Sequence, residues 1–385
     1  MKTTEFDEIR PYYDEELPKV YDELAKDSSF KQVMALVYPN VPFGLLMKRM
    51  YSCKTVLDFQ KTFCYEILDV LAKRDCESLR FDCENLPKGT EGCLFISNHR
   101  DIVLDSAFLS YLLMKEGLNT VEEAIGDNLL IYPWIKHAVR INRSFIVQRA
   151  ISMKEMINSS KRLSHYINDA VDRRKQYLWI AQREGRAKDS DDRTQLSLLK
   201  MLTMWGEGSI MERLLTLRIS PLSLSYEYDS CDYLKAKEFQ EKRDDPSFKK
   251  SPEDDLLNMQ TGLSSYKGNV FFKVGRSINS SLEKLDPSIH KKELLAVTAT
   301  LIDDEIHRNY YLYPINYVAY DLLNNSSVYA EHYSQEERLK VEAYFSTQLD
   351  KIVLPNKDTA FLRRKMLEMY ANPLINYMSA WEKIK

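Results

Sequence analysis

His99 and Asp105 are a pair whose types and spacing could do chemistry. A carboxylate that holds one imidazole nitrogen fixes the tautomer and raises the basicity of the ring. The other nitrogen can then take a proton from a hydroxyl group. The two residues stand six positions apart. On one continuous helix of 3.6 residues per turn they would lie ~240° apart and could not meet. They pair only if His99 sits in a turn and Asp105 in the first helical turn. Asp101 is the other carboxylate within reach. The plainer reading of the same residues is a helix capped by Asp101 or Asp105, with His99 as a polar loop residue.

Two arginines stand at neighbouring strand ends. Arg149 closes the apolar run Phe145-Ile146-Val147-Gln148, and Arg186 follows Tyr177-Leu178-Trp179-Ile180-Ala181 after a turn at Gly185. A guanidinium fork suits a phosphate better than an ammonium does. Taken alone, Arg149 reads as a surface residue in a salt bridge. Ser97 and Ser106 flank His99, but neither stands in a Gly-x-Ser-x-Gly elbow.

The elements that must position these side chains can be read from patterning. Cys93-Leu94-Phe95-Ile96 is a short buried strand. Ser97, Asn98 and His99 form an abrupt polar turn, and a helix runs from Ile102 towards Gly117. In open α/β sheets, ligands bind at the carboxyl ends of strands, where His99 is placed. Further strands are expected at 145–147, 177–181, 217–227 and 269–275. The fold class is therefore α/β, with a mixed, mostly parallel sheet covered by helices and with helical N-terminal and C-terminal regions. We divide the chain at 1–85 (helical), 86–285 (α/β) and 286–385 (helical). Phe59, Phe63, Ile67, Val70 and Leu71 mark one helix face, and Ser334-x-x-Glu337 is a capping box. Residues 240–258, charged and with two prolines, read as a mobile loop, and Asp189 to Arg193 as a solvated turn. The apolar stretch Met34 to Met47 reads first as a helix–helix connection and second as a membrane or acyl-chain contact. Tyr310, Tyr311 and Tyr313 read as core before groove.

Composition excludes several classes. The net charge is −3 and the basic residues are dispersed, so no nucleic-acid partner is expected. Glycine is only 11 of 385 residues, and neither dinucleotide nor P-loop glycine patterns occur. The six cysteines form no Cys-x-x-Cys and the histidines are scattered, so no metal is expected. The charged opening Met1-Lys2-Thr3-Thr4-Glu5 is not a signal peptide, and no apolar run reaches ~18 residues.

Four blocks in order resemble the glycerolipid acyltransferases, the family of glycerol-3-phosphate and 1-acylglycerol-3-phosphate acyltransferases, over about residues 93–280. Asn98-His99-Arg100-Asp101-Ile102-Val103-Leu104-Asp105 is similar to the His-x4-Asp box, with five residues between His and Asp where the family has four. Phe145 to Arg149 resembles the second motif. Glu184-Gly185-Arg186 resembles Glu-Gly-x-Arg-Ser, one residue tighter and with Ala187 for Ser. Pro221 with Tyr226-Glu227 resembles the fourth motif.

The resemblance implies His99 as general base with Asp105 as its partner, and Arg149, Gly185 and Arg186 at the acceptor phosphate. It implies an acyl-CoA or acyl-carrier-protein thioester donor, a phosphorylated glycerol acceptor and no cofactor. Arg100 and the Tyr226-Glu227 ending lean towards glycerol-3-phosphate, and Pro221 is expected to shape the acyl pocket. A cytoplasmic enzyme peripheral on the inner face of the membrane follows. The alternatives are a thioester or lipid hydrolase using the same pair, or a non-catalytic lipid- or carrier-protein-binding chain.

Overall fold

The structure is a computed structural model and describes residues 4–38, 40–87, 91–148 and 152–383. Among these, β1 (Cys76–Asp82), β2 (Cys93–Ser97), β3 (Glu122–Gly126), β4 (Ser144–Val147), β5 (Tyr177–Ala181), β6 (Ile219–Tyr226) and β7 (Gly268–Val274) form one sheet. Its order is β1-β7-β6-β2-β5-β3-β4. From β6 to β4 every neighbouring pair is parallel; β7 is antiparallel to β6, and β1 is parallel to β7. The expected mixed, mostly parallel α/β sheet is what the chain forms.

Burial explains the strand sequences. β2, β5 and β6 are central and covered on both faces; β2 and β5 read as near-continuous apolar runs, and β6 buries three serines among its apolar residues. On one face Leu94, Ile96, Leu178, Ile180 and Ile219 pack beneath the helices Met153–Asn168 and Lys291–Arg308. On the other, Phe95, Trp179, Leu222, Leu224 and Phe272 pack beneath the helix Leu104–Lys115. Two smaller cores lie in the N-terminal and C-terminal helices.

Four expectations need correction. First, residues 1–85 are not all helical. Cys76 to Asp82 alternates polar and apolar residues and forms β1, which pairs with β7 from Ser78 beside Asn269 to Asp82 beside Lys273. The sheet therefore begins before residue 86. Second, Val70 lies outside the apolar face and is 60% exposed, whereas Leu68 is buried. A wide π turn at Gln60–Cys64 interrupts that helix, and its extra residue rotates the face.

Third, 240–258 is mostly helical. The helices Asp232–Asp244 and Pro252–Ser264 leave only 245–251 between them. Ser251 and Asp254 form a capping box with Pro252 at the first turn, a signal legible in the sequence. Replacing Ser251 with alanine should cost about 1 kcal/mol. Faster amide exchange confined to the first turn of that helix would check it. Fourth, Pro221 lies in central β6. Its carbonyl accepts from the Gly275 amide (2.8 Å). The pairing of β6 with β7 starts only at Leu222 beside Val274. The missing N–H therefore falls where the ladder ends, which makes a proline tolerable in a central strand.

Met34, Leu46 and Met47 are buried, so the 34–47 stretch is largely a helix–helix packing segment, though Val37 and Leu45 remain exposed. The Ser334 capping box forms. Tyr310 and Tyr313 are core residues, and Tyr311 is exposed. No helix among the described residues is long and apolar enough to cross a membrane.

Candidate active site

The segment between β2 and the following helix is built by its own polar side chains. The Asp101 carboxylate accepts from the amides of Val103 and Leu104 (both 2.9 Å) and so starts the helix at Leu104. Asp105 is in the first turn, where side chains point back towards the N-terminus. Its Oδ2 accepts from the amides of Arg100 (2.6 Å) and Asp101 (3.1 Å) and from His99 Nδ1 (2.8 Å). Its Oδ1 accepts from the Tyr226 hydroxyl (2.9 Å). The residue in excess of the His-x4-Asp spacing is absorbed in this loop, and the partner of His99 is Asp105. Asp101 is the cap, and its other oxygen accepts from Ser230 Oγ (2.7 Å).

The remaining turn residues hold the backbone in place. The Asn98 amide makes two bonds to the backbone of Leu224 (both 2.9 Å), continuing the β2–β6 ladder with a side chain. Ser97 Oγ accepts from Trp179 Nε1 (2.9 Å), and the edge of the Trp179 ring lies against His99. The His99 side chain is 13% exposed, and nothing among the described residues pairs with Nε2. With Nδ1–H committed to Asp105, the lone pair of Nε2 is free to accept a proton.

In the sequence Tyr226 reads as part of a pocket-shaping motif; the structure puts its hydroxyl on Asp105. Burial and the adjacent Asp105 carboxylate push its own ionisation well above the ordinary range, so it acts as a donor only. Tyr226→Phe keeps the ring and deletes one of four donors to the carboxylate. We expect a loss of about 1.5–3 kcal/mol in stability, read from the denaturation midpoint, because the bond is to a charged group.

Arg186 is inside this end of the fold. Its Nη2 donates to Asn258 on the Pro252–Ser264 helix (2.8 Å), and its Nη1 is buried without a partner. Burial opposes its charge, while Cys231, Asp229 and Asp101 nearby favour it and raise its pKa. The covering helix is tight. A Cβ on Gly262 would stand 2.3 Å from Asp101 Oδ2, so only glycine lets the helix this close to the cap. Gly185 adopts φ +68°, the left-handed turn that brings Arg186 back to the sheet edge. Close by, both amide atoms of Gln182 and the Nε of Arg183 are also buried and unpaired. Arg149 lies outside the described residues.

One reading is overturned here, and two polar residues prove to be committed within the protein. The Arg100 guanidinium is buried in a two-bond pair with Asp192 (2.9 and 2.6 Å). Asp192 is therefore no solvated turn residue, but fully buried. Glu227 is spent on the amide and side chain of Asn269 (2.9 and 2.7 Å). Arg100, Tyr226 and Glu227, the residues that lean towards glycerol-3-phosphate in the sequence, are all committed within the protein. The acidic groups Asp189-Asp191-Asp192 and Asp229-Asp232 look like surface charge in the sequence. Nothing local reveals that members of both are buried.

Behind Asp192, Asp303 accepts from the Thr194 amide (2.8 Å) and hydroxyl (2.6 Å). Burial pushes its pKa from 3.8 up to about 6. The folded state thus holds the proton more tightly than the unfolded chain, and stability falls as pH rises from about 4 to about 6. Above that window the penalty is complete. Asp303→Asn, which keeps an acceptor for Thr194, should raise the denaturation midpoint at pH 8 and lose that advantage below pH 4. Equal gains at both pH values would contradict it.

Comparison with known proteins finds one matching family model. The model of the family described as Acyltransferase matches residues 79–225, from within β1 to within β6, and so takes in His99, Asp105, Gly185 and Arg186. No curated protein matches the chain. A solved structure, the 1-acyl-sn-glycerophosphate (LPA) acyltransferase PlsC from Thermotoga maritima, is 10% identical. The match covers 74% of this chain and 92% of that one, with a TM-score of 0.37, too loose an overlap to bear on the site.

Proposed function

We propose, on the match of residues 79–225 to the Acyltransferase family model, that this chain transfers a fatty acyl group from a thioester, acyl-CoA or acyl-carrier protein, to the hydroxyl of glycerol-3-phosphate or lysophosphatidate. The observation that carries the reading is the His99 Nδ1–Asp105 bond at the end of β2, with Nε2 unoccupied. His99 Nε2 removes the proton of the acceptor hydroxyl as its oxygen attacks the thioester carbonyl. The carbon–sulfur bond then breaks, and the thiolate leaves with a proton returned by the imidazolium. Asp105 keeps the ring oriented and stabilises the imidazolium. No acyl-enzyme forms.

Arg186, together with Arg149, holds the acceptor phosphate and so places the hydroxyl. Its unpaired Nη1 and the unspent polar atoms of Gln182 and Arg183 favour a polar, anionic ligand here. Gly185 supplies the turn. We further propose peripheral docking on a membrane. In its favour, Ile131 and Tyr132 after β3 and Met156 and Ile157 after β4 are exposed on segments leaving the carboxyl ends of the strands.

The test is thiol release from palmitoyl-CoA and from palmitoyl-acyl-carrier protein, with glycerol-3-phosphate, with lysophosphatidate and with neither. Acceptor-dependent release supports the transferase and identifies the acceptor. Release indifferent to both acceptors, with free fatty acid as product, replaces it with a hydrolase. Thioester binding without turnover replaces it with a binding protein.

A further inference from the structure

The residue after His99 is gripped from three sides. The Arg100 amide donates to the same Asp105 oxygen that accepts from His99 (2.6 Å). The Arg100 carbonyl accepts from Lys235 Nζ (3.1 Å) on the Asp232–Asp244 helix. Lys235 is 1% exposed and is paired with Asp229. The Arg100 guanidinium is held by Asp192. Asp192 is itself held by the C-terminal helical region. Its Oδ2 accepts from the Tyr310 hydroxyl (2.5 Å), and its backbone oxygen accepts from His307 Nε2 (2.8 Å).

We propose that Asp192, backed by Tyr310 and His307, is a positioning residue for His99, and that the C-terminal helical region thereby sets where the imidazole points. None of the three touches the reacting atoms. The Asp105 bond fixes the ring's rotation, so the place of the imidazole is then set by the backbone at the peptide that joins His99 to Arg100. That peptide is tied on its far side by the amide, the carbonyl and a buried two-bond ion pair. Releasing the ion pair strands a charge in the interior, so the loop stays put. Misplacement of a reacting group by ~1 Å costs ~100-fold in rate, which is the scale of what this grip protects.

The kinetic part of the proposal rests on the acyltransferase reading; the structural part does not. The full chain is labelled with 15N-histidine, and the His99 ring signals, among those of six histidines, are identified by their loss in His99→Gln. In the wild type we expect a single tautomer with a slowly exchanging Nδ1–H. In Asp192→Asn the shifts should move and exchange should quicken at least ~10-fold. Tyr310→Phe, which loses only a hydroxyl, should do the same more weakly and decides the matter if Asp192→Asn does not fold. In parallel, kcat should fall ~10–100-fold in Asp192→Asn, with KM for donor and acceptor within twofold.

A change at His99 supports the proposal whatever the kinetics. An unmoved His99 signal overturns it, even if kcat falls, because Asp192 would then act elsewhere. A wild type that transfers no acyl group refutes the reaction, and positioning is then decided by the spectra alone.

Discussion

His99→Ala should lower kcat for acyl transfer by ~10²–10⁴-fold, the range a positioned general base contributes. KM for both substrates should change little, because in the proposed mechanism the imidazole acts on a proton and the phosphate falls to Arg186. Asp105→Asn should cost less in rate, since a base remains, but its amide can present the wrong group to the His99 Nδ1 (2.8 Å) and turn the ring's tautomer. The order His99→Ala below Asp105→Asn below wild type is the signature of a base with an orienting partner. Equal activity in His99→Ala and wild type would remove the mechanism. A loss expressed only in KM would make His99 a binding residue.

Arg100→Ala should destabilise the fold by about 3–5 kcal/mol, because it breaks a buried pair and leaves the Asp192 carboxylate without its cation. The Tyr310 hydroxyl that remains on Asp192 cannot replace two charge-assisted bonds. The denaturant midpoint reads this directly. A double variant, Arg100→Ala with Asp192→Ala, should cost less than the sum of the singles, since removing both partners strands neither. The competing idea, that Arg100 binds the acceptor's phosphate, predicts something different. Stability would then hold while the acceptor KM rose.

These two experiments probe different layers of legibility. The His99–Asp105 pair is readable because both residues lie within one strand–turn–helix unit. Local rules, a cap and a first helical turn, bring them together once His99 is out of the helix. The choice between Asp101 and Asp105 is not readable. It depends on where the helix starts, and Asp101 settles that by bonding Val103 and Leu104. The strands are legible for a similar reason, since β2 and β5 are buried on both faces and therefore almost wholly apolar, and β6 alternates apolar residues with serines. β1 is hidden in the sequence because it follows a helix without a break, and 245–264 because its charge outweighs its capping box.

Taken alone, then, the amino-acid sequence determined what depends on neighbours along the chain: an α/β core, the strand–turn–helix that carries His99, and the pairing of that histidine with a nearby carboxylate. The tertiary structure decided what depends on charges meeting across long separations. Arg100 and Asp192 are 92 positions apart, and Tyr226 and Asp105 are 121 apart. Each looks like an ordinary polar residue until the sheet order places its partner against it. A buried charge is stable only beside that partner. For that reason Arg100 is bound within the protein, whereas Arg186, like its neighbour Arg183, keeps a buried nitrogen unspent.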